Sequence, residues 1–227
     1  MNTLITGHKG FIGSKLFKKV GGIGIDIRDG MNLLTCELPK NIDVIYHLAA
    51  QSSVEASWHD PLHDLDNIRI TARLAHAYPH AKIIYANSCA SIKADSPYGL
   101  SKGTAGWYLQ KFHGNTVDCM FPNIFGEGSR SVVDIFKDKK EVTIYGDGTH
   151  TRDYVHVDDI VEGLLRAKHW DAGTYYMGSE KTYSVNELAE GKTITYAPAR
   201  KETDHVTLRN STPDWTPHIS VMKYIHG

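Results

Sequence analysis

A tyrosine and a lysine separated by three residues form the most reactive pattern in the sequence. Tyr98 and Lys102 lie one helical turn apart, so a helix places both on the same face. A free tyrosine is a poor base at neutral pH, because its pKa is about 10. A neighbouring ammonium is expected to lower the pKa of Tyr98 and make it a usable acid–base group. Ser88 ends a predicted strand before Tyr98 and is expected to bring its hydroxyl to the same substrate oxygen.

A glycine-rich turn follows the first predicted strand. Gly7, Gly10 and Gly13 leave room for a tight turn, for close approach of a pyrophosphate to backbone N–H groups, and for helix packing on the sheet. Asp26 ends the second predicted strand, at the distance where an acid accepts the ribose hydroxyls of a dinucleotide. A carboxylate repels a 2′-phosphate and favours NAD, although two basic residues nearby leave NADP open.

Short apolar runs alternate with helical patterns and must position these residues. Such alternation is typical of a parallel sheet with right-handed crossovers. The predicted strands are Leu4–Thr6, Gly24–Ile27, Val44–His47, Lys82–Ala86 and Thr116–Phe121, and the predicted helices are Ile12–Val20, Asp64–Ala77 and Tyr98–Lys111. The pattern predicts an α/β protein with a Rossmann-type doubly wound parallel sheet.

The pattern changes after residue 125, where glycine turns multiply and strands such as Val142–Tyr145 become short. We therefore predict a dinucleotide-binding domain over residues 1–125 and a small, truncated substrate-binding lobe over residues 126–227. Later crossover elements are expected to return to the sheet.

Composition limits the function classes that need consideration. The 227 residues are 41% hydrophobic and carry a net charge of −1, which argues against nucleic acid as a partner. No stretch approaches the roughly 20 apolar residues of a membrane span. The three cysteines are far apart and lack the spacing of metal ligands, and so small a number fits a reducing compartment. We therefore expect a cytoplasmic protein without membrane association.

Several further segments resemble the extended short-chain dehydrogenase/reductase family, and within it the NAD-dependent nucleotide-sugar epimerases and dehydratases. The matching segments are the glycine loop, His47–Val54, Asp60–Pro61 with Asn67, Tyr98 with Lys102, Pro122–Gly126, Tyr145–Gly148 and Thr151–Asp159. The resemblance covers nearly the whole chain, and Thr151–Asp159 is its most specific part.

The resemblance implies a set of binding residues. For the cofactor NAD they are Gly7, Gly10, Phe11, Ile12, Gly13, Asp26, Asn32, Leu33, Leu48, Ala49, Ala50, Gln51, Asn67, Tyr98, Lys102 and Pro122. For a nucleotide-sugar substrate, with a UDP-hexose favoured, they are Ser52, Ser88, Tyr98, Asn123, Val132, Tyr145, Arg152, Arg200 and Asp204. Guanidinium groups such as that of Arg152 suit a diphosphate, whereas Tyr145 is open to two roles, stacking on the base or packing in the core.

The chain also departs from the family pattern. It is shorter than typical relatives, and the interval from Asp26 to His47 leaves little room for a crossover helix. Met120 stands where relatives usually carry an arginine, and Pro122 where they carry an aromatic residue. The region from Ser184 onward is trimmed, so the sugar pocket is expected to be open or completed by a partner.

The residues after Ser88 decide between reactions. Relatives that are 4,6-dehydratases carry an Asp-Glu pair there, whereas this chain has Cys89 and Ala90. The favoured hypothesis is therefore UDP-galactose/UDP-glucose 4-epimerisation through a transient 4-keto sugar, with Ser88, Tyr98 and Lys102 as catalytic residues. A nucleotide-sugar 2-epimerase, a keto-sugar reductase and a non-enzymatic nucleotide-sensing scaffold remain alternatives.

Other residues that could suggest a metal or catalytic site are interpreted as structural. His76 and His80 flank Pro79 without a third ligand, so no metal is expected. Asp158 and Asp159 precede the predicted helix Ile160–Lys168 and are expected to cap it. By analogy with relatives, the helices of Tyr98 and of residues 64–77 are expected to form a homodimer interface.

Overall fold

The computed structural model describes residues 1–199 and 207–227 and contains an α/β fold with a large parallel sheet. The strands of these ranges are β1 (Thr3–Thr6), β2 (Ile23–Ile25), β3 (Val44–His47), β4 (Lys82–Ser88), β5 (Thr116–Phe121), β6 (Asn123–Phe125), β7 (Glu141–Tyr145), β8 (Thr151–His156), β9 (Gly173–Tyr176), β10 (Thr182–Ser184) and β11 (Thr193–Ala197). The α-helices are α1 (Phe11–Val20), α2 (Val54–His59), α3 (Pro61–Ala77), α4 (Ala90–Lys93), α5 (Pro97–Phe112), α6 (Val132–Lys137), α7 (Val157–Ala167), α8 (Val185–Leu188) and α9 (Val221–His226).

Six strands form the central sheet in the order β2-β1-β3-β4-β5-β9, and every neighbouring pair is parallel. β2 pairs with one side of β1 and β3 pairs with the other, so the direction of strand addition reverses at β1. At this reversal the carboxyl ends of β1 and β3 open a crevice, which is where ligands bind in doubly wound sheets. The predicted Rossmann-type fold is confirmed.

Helices cover both faces of this sheet, because its strands are apolar on both sides. All four residues of β3 are buried. One face packs against α1 and α7 through Leu16, Ile160 and Leu164. The other face packs against α3 and α5 through Leu74 and Leu109. Helix α5, which carries Tyr98 and Lys102, is therefore packed on the second face.

The remaining elements build a smaller unit beside the carboxyl edge of the sheet. It contains the strands β10-β8-β6 and the parallel pair β11-β7. Its own apolar cluster includes Phe125, Phe136, Ile144, Leu188 and Ile225. Two later elements, α7 and β9, pack on or join the main sheet instead.

Two element boundaries differ from the sequence-based predictions. The second strand ends at Ile25 rather than at Ile27, because the carboxylate of Asp26 accepts the N–H of Arg28 and starts a 3₁₀ helix, Ile27–Asp29. That short turn is the only helix described between β2 and β3, as the compressed interval predicted.

The helix predicted from Ile160 begins earlier, at Val157. The imidazole of His156 accepts the N–H of Asp158 and caps this helix, so Asp158 and Asp159 lie in its first turn rather than before it. The buried carboxylate of Asp159 accepts the N–H groups of His218 and Ile219 and fixes the C-terminal segment. The predicted capping role of the two acids was wrong.

None of the helices in the described ranges combines the length and the apolar character that crossing a bilayer requires.

Candidate active site

The glycine loop between β1 and α1 lies directly against the chain that leaves β3. Gly7 has a φ of 71°, and a Cβ at this position would stand 2.8 Å from the N atom of Ala49. A Cβ at Gly13 would stand 2.1 Å from the carbonyl oxygen of Gly7. Side chains are thus sterically excluded here, and the first turn of α1 is left open to a ligand.

The carboxylate of Asp26 is fixed beside this loop. It accepts the N–H of Lys9 at 2.9 Å and the N–H of Arg28 at 2.9 Å, and the side chain is buried. A glycine-rich loop, the start of a helix and a carboxylate held beside them are the parts that bind a dinucleotide. The residues present therefore fit NAD, with the pyrophosphate at Gly10–Gly13 and the ribose at Asp26.

Other predicted cofactor residues lie along the same crevice. Gln51 follows β3, and its N–H is accepted by the side chain of Asn67 on α3 at 2.9 Å. The amide of Asn67 donates to the hydroxyl of Ser101 at 3.0 Å, so Asn67 ties α3 to α5 from a buried position. Leu33 packs in the core, whereas the side chain of Asn32 accepts the N–H of Leu34.

Two of the three predicted catalytic residues, Ser88 and Tyr98, meet at the carboxyl end of β4. Ser88 is the last residue of β4, and α5 begins at Pro97 because the hydroxyl of Ser96 accepts the N–H of Gly99 at 3.0 Å. This start brings the phenol of Tyr98 into a hydrogen bond with the hydroxyl of Ser88. Lys102 follows on the same helix face and is 3% exposed.

The protonation of Tyr98 differs from the sequence-based expectation. Burial raises the pKa of Tyr98 to about 12, and the hydrogen bond from Ser88 only partly opposes this. Burial also lowers the pKa of Lys102 to about 7, while Asp118 acts in the opposite direction. The Lys102 ammonium lies 4.2 Å from the centre of the Tyr85 ring. The predicted lowering of the Tyr98 pKa by Lys102 is therefore wrong for the protein by itself, because burial raises this pKa and the opposing contribution comes from Ser88.

Cys89 and Ala90 occupy the positions after Ser88 where a dehydratase needs carboxylates. Both are buried, and burial raises the pKa of the Cys89 thiol. A protonated thiol and a methyl group supply no acid–base pair for removing water. The structure thus agrees with the argument against dehydration.

A cavity of about 690 Å³ opens between α6, β7 and β8. It brings together four of the predicted substrate residues, Asn123, Val132, Tyr145 and Arg152. Its volume lies within the usual range for small-molecule sites. Tyr145 is 38% exposed and lines the cavity, so a core role for this ring is excluded.

Further basic residues line the same cavity and were missed from the sequence. Arg130 precedes α6 and Lys139 follows it, and His150 precedes β8. The available signal was their position around Val132, which had been assigned to the substrate site. Arg130, Lys139 and Arg152 carry positive charges that suit phosphates, and Glu141 is also among the residues that line the cavity.

The other predicted site residues are placed as follows. Ser52 is exposed on the loop before α2, and Pro122 is buried between β5 and β6. Arg200 and Asp204 lie outside the described residues.

Comparison with known proteins identifies a family and relatives that are similar in sequence. Residues 3–178 match the model of the NAD dependent epimerase/dehydratase family. A putative UDP-glucose 4-epimerase of Methanocaldococcus jannaschii is 28% identical, over 99% of this chain and 87% of the relative. The UDP-glucose 4-epimerase of Mycolicibacterium smegmatis is 30% identical, over 74% of this chain and 73% of the relative.

Solved structures agree with these relatives. The UDP-glucose 4-epimerase of Thermotoga maritima, in complex with UDP-glucose, superposes with a TM-score of 0.82 at 25% identity and covers 99% of this chain and 96% of its own. The enzyme MoeE5, in complex with UDP-glucose and NAD, gives a TM-score of 0.81 at 26% identity with the same coverage. The chain therefore belongs to the NAD dependent epimerase/dehydratase family.

Proposed function

We propose that the protein is an NAD-dependent nucleotide-sugar epimerase that interconverts UDP-galactose and UDP-glucose at C4. The observation that carries this proposal is the hydrogen-bonded pair of Ser88 and Tyr98, which lies at the same sheet edge as the glycine loop. The cavity lined by Asn123 and Arg152 supports a nucleotide-sugar substrate. The names of the relatives favour the UDP-hexose and the 4-position.

The chemistry divides between the cofactor and the chain. NAD supplies the hydride acceptor and donor when it is bound at the glycine loop. Tyr98 takes the proton of the sugar 4-hydroxyl and returns it, while Ser88 holds the reacting oxygen through its hydroxyl. Once the positive nicotinamide ring of NAD lies beside the phenol, the Lys102 charge on the same helix face would help this ring to lower the raised pKa of Tyr98. A 4-keto sugar formed in this way can be reduced from either face after it turns in the site.

The cavity supplies the binding energy for the remote half of the substrate. We assign Arg152 to the diphosphate, because a guanidinium group binds phosphate oxygens in a bidentate manner. Tyr145 offers an exposed aromatic face for the base. Asn123 and Val132 also line the cavity, and we assign both to the substrate. Ser52, Arg200 and Asp204 remain assigned to the substrate from the resemblance.

We also propose the division of the chain near residue 125, a cytoplasmic location and a homodimer. The homodimer is supported by exposed apolar side chains on α3 and α5, which pack side by side. These side chains are Leu62, Leu65, Leu100, Trp107 and Phe112. Association through this outer face would bury them.

The test is to incubate the NAD-loaded protein with UDP-galactose and to follow the sugar signals by ¹H NMR. Formation of UDP-glucose without net change in NADH absorbance is expected. Stoichiometric consumption of NADH with a keto-sugar would instead identify a reductase. Binding of UDP-sugars without any conversion would favour the nucleotide-sensing scaffold.

A further inference from the structure

A cluster of polar side chains, Tyr85, Asn87 and Asp118, lies between α5 and the sheet face that this helix covers. Tyr98, Lys102 and Gly106 follow each other at intervals of four residues and share the inner face of α5. Beneath them, Tyr85 of β4 is the cross-strand partner of Asp118 of β5. Cross-strand partners point to the same face, so Asp118 emerges beside Tyr85 under the helix.

The lack of a side chain at Gly106 leaves space for this polar cluster beneath α5. A Cβ at Gly106 would stand 2.8 Å from the amide nitrogen of Asn87 and 2.9 Å from a carboxylate oxygen of Asp118. Asp118 is 3% exposed, so its carboxylate is enclosed by α5 and the sheet. A buried charge is costly unless an opposite charge or several hydrogen bonds offset it.

Asp118 connects to Ser88 through Asn87. The amide of Asn87 donates to the carboxylate of Asp118 at 3.1 Å. The amide oxygen of Asn87 accepts the N–H of Ser88 at 2.8 Å. The strand end that carries the Ser88 hydroxyl is thereby anchored on Asp118.

Asp118 also acts on Lys102. The Lys102 ammonium lies over the ring of Tyr85, whose hydroxyl donates to the carbonyl oxygen of Lys102 at 3.2 Å. Among residues 1–199 and 207–227, Lys102 forms no salt bridge. Burial lowers the pKa of Lys102, and the charge of Asp118 acts against this lowering. The other titratable groups near Lys102 and Tyr98 are Tyr85, His47, Cys89 and Asp64. Asp64 of α3 acts on Tyr98, whereas Asp118 is the acid that acts on Lys102.

We propose that Asp118 is a positioning residue of the active site, which keeps Lys102 charged beneath α5 and anchors the end of β4 that carries Ser88. This inference rests on the proposed function of Ser88, Tyr98 and Lys102 but assigns a role to a residue outside that set. Asp118 contacts neither the substrate cavity nor the glycine loop.

The direct test measures Lys102 itself rather than activity. Lysine labelled with ¹³C at Cε is followed by NMR against pH, with the Lys102 signal assigned by its absence in Lys102→Met. Asp118→Asn keeps the shape of the side chain and removes its charge, so the pKa of Lys102 is expected to fall by about one unit. An unchanged Lys102 pKa would overturn the proposal.

A matched control removes a different buried carboxylate. Asp159→Asn changes a residue that is also almost fully buried but lies on α7, against the opposite sheet face. The Lys102 titration is expected to stay unchanged in this variant, even where thermal stability falls. An equal shift of the Lys102 pKa in both variants would show that Asp118 has only a structural role.

A reciprocal experiment covers the case in which Asp118→Asn does not fold. In Lys102→Met, the pKa of Asp118, followed through its carboxyl carbon, is expected to rise because the offsetting cation is gone. An unchanged pKa of Asp118 in Lys102→Met would contradict the proposed interaction between the two side chains.

Kinetics separate the two roles of Asp118 once epimerase activity is established. Asp118→Asn is expected to move the high-pH fall of kcat/KM to lower pH with KM for the UDP-sugar unchanged. Asn87→Ala removes the anchor of Ser88 and also a hydrogen bond that lowers the pKa of Asp118, so kcat is expected to fall at every pH and the profile to shift less than in Asp118→Asn. Failure of the epimerase assay leaves the NMR titrations interpretable, so the two proposals fail separately.

Discussion

The hydroxyl groups of Tyr98 and Ser88 share a hydrogen bond, although one begins a helix and the other ends a strand. The pair depends on two local features, the Ser96 cap that starts α5 and the carboxyl end of β4. A substrate hydroxyl placed between them meets a proton acceptor and a hydrogen-bond donor at once. This geometry is the basis of the acid–base role proposed for Tyr98.

The substrate assignment predicts a specific loss in Arg152→Ala. Removal of a charge-assisted contact to a diphosphate costs about 1.5–3 kcal/mol, which corresponds to roughly a tenfold or greater rise in KM for the UDP-sugar. The change in kcat is expected to be smaller. Steady-state kinetics with UDP-galactose measure both values, and Arg69→Ala on the exposed surface of α3 serves as the control. An unchanged KM in Arg152→Ala would remove Arg152 from the substrate site.

The glycine loop predicts that Gly13→Ala disrupts cofactor binding and stability together. The added methyl group would stand 2.1 Å from the carbonyl oxygen of Gly7, so the loop must move. We expect loss of copurifying NAD and a destabilisation of about 1–3 kcal/mol, measured by denaturant unfolding. Gly173→Ala is the matched control, because the nearest atom to its added Cβ is 3.5 Å away. Equal NAD content in the two variants would argue against the loop as the binding site.

A buried imidazole predicts how stability depends on pH. His47 lies between the hydroxyls of Thr6 and Thr71, and burial lowers its pKa from 6.5 to about 3, with Lys102 adding to this effect. Between these pH values the unfolded state binds more protons than the folded state. Stability is therefore expected to fall as pH drops from 6.5 towards 3, by up to about 1.4 kcal/mol per pH unit from this group.

The contribution of His47 is measured as the difference between two unfolding series. His47→Gln should show a shallower loss of stability between pH 6 and about 4 than the wild-type protein, because the titrating group is gone. The exposed His226→Gln is the control. Asp118, whose pKa is raised by burial, contributes with the opposite sign but is common to all three proteins. Parallel curves for His47→Gln and wild type would refute the assignment.

The proposed homodimer predicts that a charge on the outer face of α5 yields monomers. Trp107 is 57% exposed, and Trp107→Glu is expected to halve the mass in light scattering after size exclusion. Leu208→Glu changes another exposed apolar residue away from α3 and α5 and should leave the mass unchanged. A wild-type protein that is already monomeric would contradict the proposal outright.

Much of the central sheet could be predicted from local patterns. The bounds of β3 and β5 match the predicted strands, because buried parallel strands are rich in apolar residues, even though β5 also contains Asp118. The short strands of the smaller unit, such as β6 and β10, were not predicted, since three residues carry too little pattern. The start of α7 was misplaced because a histidine cap, rather than an aspartate cap, begins the helix.

The proposed catalytic residues were predicted from their spacing in the sequence, whereas the directions of their pKa shifts were not. The four-residue interval of Tyr98 and Lys102 placed both on one helix face, as the structure has them. The direction of the Tyr98 pKa depends on burial, which no spacing reveals. Asp118 was overlooked for the same reason, since its partners Asn87 and Gly106 are distant in sequence and meet only through the sheet register.

The central claim is tested most directly by one rate comparison. NAD-loaded wild type and Tyr98→Phe are incubated with UDP-galactose, and UDP-glucose is quantified by ¹H NMR, after circular dichroism and NAD content show that both proteins are folded and loaded. Loss of the phenolic acid–base group is expected to slow conversion by about 10²–10⁴-fold. Equal rates of conversion in the two proteins would contradict the role of Tyr98 and with it the proposed mechanism.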